Sequence, residues 1–165
     1  MAGVDDVIAR SRRPGGFVAR KRFAVARSRA IEKLRRFALA DPHYYILELI
    51  QGAVANGADF VDVELGRREI TISYTGGGFA PEELAQLFDF LFASKENLDF
   101  ADVRQLALGL NALLDARPDE IVIESGNGTL AGTTRVRIDG PSEAVEVGTP
   151  AFALRGTYIR VAGLK

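Results

Sequence analysis

The stretch Glu48-Leu49-Ile50-Gln51-Gly52-Ala53-Val54-Ala55-Asn56-Gly57-Ala58-Asp59 runs into Val61-Asp62-Val63-Glu64-Leu65 and, past Gly66-Arg67-Arg68, into Ile70-Thr71-Ile72-Ser73-Tyr74. Its first half has a helical period, with Ile46, Leu49, Ile50 and Ala53 on one side. Asn56-Gly57 is a left-handed stop for that helix. The second half has period two. Val61, Val63 and Leu65 alternate with Asp62 and Glu64, and Ile70 and Ile72 alternate with Thr71 and Ser73, so the short link predicts an antiparallel hairpin.

Working outward, the apolar positions Ala30, Ile31, Leu34, Phe37 and Ala38 predict a helix over about 23–39. Asp41-Pro42 ends it and opens the next, over about 42–55, with Asp41 as cap and proline at a tolerated first position. Beyond the hairpin, Thr75-Gly76-Gly77-Gly78 breaks the pattern, and Pro81-Glu82-Glu83 starts a helix expected to reach Leu91. The polar Ser94-Lys95-Glu96-Asn97 leads to a further helix from about Phe100 to Leu114. Strands follow at Glu120–Glu124 and Leu130–Ile138, split by the hairpin signal Gly126-Asn127-Gly128, then at Glu143–Val147 and Thr157–Val161. The order predicts an α+β fold. It is a two-layer sandwich with a mostly antiparallel, mixed sheet covered on one face by helices. Residues 1–22, with Pro14-Gly15-Gly16 and little periodicity, read as a basic, partly flexible arm on a domain spanning 23–165.

Composition narrows the chemistry. The chain of 165 residues has no cysteine and a single histidine, His43, so disulfides, thiolate metal sites and His-assisted nucleophiles are not expected. No apolar run approaches the length of a membrane span, and the start lacks a secretory pattern, so a cytoplasmic domain is expected. The net charge of −1 conceals an asymmetry. Residues 1–40 hold 11 of the 21 Lys and Arg against Asp5, Asp6 and Glu32, leaving ten against 19 acids in residues 41–165. The basic segment reads either as a nucleic-acid or acidic-partner contact or as a solvated helix face and an arm on its own acidic body.

Three features carry candidate chemistry. Glu48, Gly52 and Ala55 share a helix stripe on which small residues leave room beside a carboxylate; the alternative is a solvent-edge acid and a packing glycine. Tyr74-Thr75-Gly76-Gly77-Gly78-Phe79 takes a strand into glycines that permit close approach and expose N–H groups, as any tight strand-to-helix turn also does. Gly109, inside Leu106-Ala107-Leu108-Gly109-Leu110-Asn111-Ala112-Leu113, signals either close packing or a helix N-terminus facing an anion.

In this order and spacing the pieces resemble the GHKL ATPases, the superfamily of gyrase B subunits, ninety-kilodalton heat-shock chaperones, sensor histidine kinases and MutL proteins. The 48–59 helix resembles the N-box, Tyr74–Phe79 the Asp-x-Gly-x-Gly loop, and Phe92-Ala93-Ser94-Lys95 the lid. Leu108–Leu113 resembles the second glycine box, and Gly156-Thr157-Tyr158-Ile159-Arg160-Val161 the strand that closes the pocket. The resemblance covers about residues 24–164 and is nearest to the MutL-like domain. It implies a Bergerat-type ATP-binding fold with ATP as ligand and Glu48 as general base. Gly76, Gly78 and Gly109 would lie around the nucleotide, Ser94 and Lys95 near the phosphates, and Thr157 at the adenine end.

Two positions depart from the pattern. Gly52 stands where the family has the Asn that holds magnesium, and Tyr74 where it has the Asp that accepts the adenine amino group. Without a side-chain oxygen at Gly52, magnesium would depend on phosphates and water. The expected function is therefore a nucleotide-binding switch, at most a weak ATPase. The alternative is a pseudo-ATPase scaffold, its pocket closed by Tyr74, that serves a protein partner or a homodimer. Nucleic-acid binding through the basic arm is a third reading.

Overall fold

The computed structural model describes residues 26–37, 41, 43–94, 98–140 and 142–164. The 1–22 arm, Pro42 and Lys95 lie outside the described residues. Helix α1 (Arg27–Phe37) is followed by α2 (Tyr45–Ala55) and the hairpin β1 (Val61–Leu65) and β2 (Glu69–Tyr74). A short α3 (Pro81–Ala85) passes into a 3-10 helix, Leu87–Phe92. A second 3-10 turn (Leu98–Phe100) leads into α4 (Ala101–Leu113), then β3 (Glu120–Asn127), β4 (Thr133–Asp139), β5 (Glu146–Gly148) and β6 (Arg155–Ala162).

The chain is an α+β protein with a six-stranded antiparallel sheet, in the order β1-β2-β6-β3-β4-β5, and helices packed on it. The expected mixed sheet is corrected: every described pairing is antiparallel. The reason is the insertion of β6 between β2 and β3, antiparallel to both, so no two neighbours run the same way.

Register explains the core. Because side chains alternate across a strand, three cross-strand rows face the helices. The first two are Ile70–Val161–Ile121–Ile138 and Ile72–Ile159–Ile123–Val136, all buried. The third, Tyr74–Thr157–Ser125–Thr134, is polar and lies at the sheet end nearest the glycine loop. On the other face, Arg160 pairs with Glu69 (2.9 Å) and Glu120 (3.6 Å), and Arg137 with Glu120 (2.7 Å) and Asp139 (2.7 Å), a ladder of ions across four strands.

Over the sheet, α4 lies between α2 and α1. Buried Asn111 on α4 donates to Ile31 O (3.4 Å) and accepts from Arg35 Nε (3.3 Å), which ties α1 down. Asp41 does not cap α2 as expected: the N-cap is Tyr44, without a side-chain bond, and the Asp41 carboxylate accepts from His43 N (2.8 Å) in the turn before the helix. Asn56-Gly57 closes α2 as expected: Gly57 has φ +84°, and the Ala58 N–H returns to Ala53 O (3.0 Å).

Several boundaries differ from the pattern. Helix α2 begins at Tyr45 rather than near 42, and β5 spans only Glu146–Gly148. Strand β4 begins at Thr133 rather than Leu130, because a turn closes from Thr133 N to Leu130 O (3.2 Å). The helix expected to reach Leu91 is α-helical only to Ala85; the 3-10 geometry beyond it buries Leu87, Phe88 and Leu91 together with Leu84. Strand β3 continues through Gly126 and Asn127, because Gly126 pairs with both Thr133 and Gly156.

Candidate functional site

Most of the described site residues expected from the sequence gather in two places joined by one side chain. At the sheet end, Tyr74 and Thr157 are direct cross-strand partners, although 83 residues separate them in sequence. Tyr74 is 3% exposed, its ring within the apolar core. Its hydroxyl is buried without a hydrogen-bond partner. Burial pushes the phenol far above its usual range. The Thr157 hydroxyl offsets part of this, and the Asp102 charge adds to it. Thr157 Oγ1 pairs with Ser125 Oγ at 2.9 Å and stands near the phenol without completing a hydrogen bond to it. Tyr74 is therefore a neutral group at physiological pH, able to donate but not to act as a carboxylate.

The glycine loop presents its N–H groups inward. Gly77 N donates to Asn56 O (3.0 Å), Gly78 N to Asn56 Oδ1 (3.1 Å) and Phe79 N to Ser125 Oγ (2.9 Å). Ala80 N donates to Glu83 Oε2 (2.7 Å), the reach-back that caps α3. Four successive donors are thus committed to protein acceptors. Gly78 has φ +74°, a conformation that side chains rarely adopt. A methyl group on Gly76 would stand 2.6 Å from Asn56 Oδ1. These glycines serve close packing on Asn56 and β3.

The second place is the crossing of α2 and α4. A methyl group on Gly52 would lie 3.1 Å from Leu106 N and 3.3 Å from Asp102 O, both backbone atoms of α4. One on Gly109 would lie 2.8 Å from Leu49 Cγ and Cδ2 and 3.1 Å from Leu49 N. Gly109 is buried inside α4, which begins at Ala101, so no helix N-terminus lies there. Of the two readings of Gly109, the structure shows close packing. Glu48 is half-buried in the first turn of α2, where a carboxylate favours the helix dipole. Ser94 is exposed beyond the 3-10 helix.

Asn56 links the two places. Besides holding the loop, its Nδ2 donates to Gly78 O (3.1 Å) and to Asp102 Oδ2 (2.7 Å) in the first turn of α4. From the sequence alone Asn56 reads as a helix stop, and neither Asp102 nor Ser125 is marked, because their partners lie 22 to 46 residues away. Asn56→Ala is expected to lower stability by about 2 kcal/mol, since it leaves the Gly78 N–H and the Asp102 carboxylate without their partner. Urea unfolding of the two proteins measures the difference.

The residues present do not fit magnesium. Position 52 carries no side-chain oxygen, and its small volume is already met by α4 backbone. Among the described residues no group of three or more His, Asp or Glu is placed to hold a metal ion. No described helix is long and apolar enough to cross a membrane. Compared with known proteins, the chain matches no protein-family model and no curated protein.

Proposed function

We propose that this chain is a GHKL-like pseudo-ATPase: a Bergerat-type scaffold whose nucleotide position is taken up by its own residues, and which works through contact with a protein partner. The observation that carries the reading is Tyr74, buried in the core at the position the resemblance gives to the adenine-binding Asp. The packed Gly52 and Gly109 and the inward-bonded glycine loop support it. The pairing of Tyr74 with Thr157 supports the scaffold half of the reading, since it sets the strand thought to close the pocket beside the adenine position. Calorimetric titration of the full chain with ATP, with and without magnesium, tests the proposal. It predicts no saturable heat at millimolar nucleotide, and a saturable signal overturns it.

The nucleotide-binding switch draws on one specific observation, the partnerless Tyr74 hydroxyl, a donor left for a ligand. If that switch were real, Tyr74→Phe would remove the donor and weaken ATP binding. On the proposed reading, neither protein binds ATP.

A further inference from the structure

Strand β1 ends the sheet, and among the described residues nothing pairs with its outer edge. The hairpin closes with Gly66 N donating to Glu69 O (2.8 Å). In an antiparallel ladder bonded and non-bonded pairs alternate, so Glu64 and Asp62 exchange bonds with Thr71 and Ser73. The backbone N–H and C=O groups of Val61, Val63 and Leu65 therefore face the open edge. Their side chains lie on the helix-side face, where the cover is incomplete: Leu65 is 67% exposed.

An incoming strand would thus gain backbone bonds from β1 and apolar contact with Leu65 on the helix-side face. The opposite face of β1 carries the exposed carboxylates of Asp62 and Glu64, with Asp59 just before the strand. These acids select the occupant. Pairing β1 with β1 of a second copy would set carboxylates against carboxylates, which opposes self-association. A segment with basic residues at alternate positions meets them favourably.

We infer that the free edge of β1 is a strand-addition site for an extended segment of a partner protein, with apolar residues at alternate positions and Lys or Arg between them. The apolar residues lie beside Val61, Val63 and Leu65. The basic residues lie beside Asp62 and Glu64. This gives a chemistry to the protein partner of the reading above, and rests on that reading only for the expectation of such a partner.

The test adds a short blocked peptide alternating valine and lysine to the full chain and follows amide exchange by nuclear magnetic resonance. The expected result is saturable binding with slowed exchange at Val61, Val63 and Leu65. Binding is lost when alternate peptide amides are N-methylated, and is weakened on the order of tenfold by Asp62→Lys with Glu64→Lys. Both acids are exposed, and a native amide spectrum confirms that this variant is folded. Leu65→Asp, also at an exposed position, is a second variant expected to weaken the peptide. Equal binding of a valine–glutamate peptide, equal binding of the N-methylated peptide, or no binding overturns the proposal. So does protection of these three amides before peptide is added, which would mean that the chain or a second copy already covers the edge. A chain that binds ATP and also takes the peptide would sink the pseudo-ATPase reading alone. One that does neither would sink the strand-addition site alone.

Discussion

Replacing Gly52 with asparagine, the residue that the resemblance leads one to expect there, will destabilise the chain by about 3 kcal/mol and will not create a magnesium–ATP site. The first added atom would already lie 3.1 Å from Leu106 N and 3.3 Å from Asp102 O, and these backbone atoms move only if α4 moves. The amide beyond it has no room on that side and adds polar groups to a packed crossing. Asparagine gains a few tenths of a kcal/mol over glycine in helix propensity, which does not offset the overlap. For a chain of this size the loss corresponds to a fall in Tm of roughly 10 °C. Calorimetric unfolding measures it. An unchanged Tm would mean that α2 and α4 stand further apart than described here, with space for a ligand between them.

Tyr74 gives the other large effect, and two substitutions separate its parts. Tyr74→Asp, again toward the family residue, removes a buried ring and places a carboxyl at the same buried position, near Asp102. The lost packing and the buried charge together cost at least about 4 kcal/mol. The outcome expected is a protein that unfolds early in urea or fails to fold. Tyr74→Phe keeps the ring and removes only a hydroxyl that has no partner. It is expected to leave stability unchanged or to raise it by about 1 kcal/mol. A clear loss of stability in the Phe variant would show that the hydroxyl does find a partner. Taken as a pair, Asp damaging and Phe harmless, the two results identify Tyr74 as a core residue.

The sequence made the fold readable where the pattern was local. The alternation of Val61, Val63 and Leu65 with Asp62 and Glu64 sets one face of β1 inward, and the structure pairs Leu65 with Ile70 across the expected link. Asn56-Gly57 stops α2 because a left-handed glycine is a local requirement. The extent of β3 was not readable: Gly126 looks like a turn residue in isolation, and only Gly156 and Thr133 on either side hold it in the sheet. The same holds for the break after Ala85, where burial of Leu87, Phe88 and Leu91 decides between two helical geometries.

Glycines set the limit for the site. A glycine kept for a ligand and one kept for a neighbouring helix look identical in one dimension, since both positions require only that no side chain be there. Gly109 is resolved by Leu49 and Gly52 by Leu106, and neither neighbour can be named from spacing. Asn56 shows the converse. Its helix-ending role is local and legible, whereas its bonds to Gly78 and Asp102 depend on how the glycine loop and α4 converge.

On the proposed reading, the chain's own groups take the place a nucleotide would need. The most direct measurement is a titration of the full chain with magnesium–ATP, observing the backbone amides of Gly77, Gly78, Phe79 and Ala80 and the ring of Tyr74 by nuclear magnetic resonance. With those donors bonded to Asn56, Ser125 and Glu83, the predicted result is no saturable shift at millimolar nucleotide and a Tyr74 ring that stays in its buried environment. Saturable shifts at these amides, together with displacement of the Tyr74 ring, would contradict it.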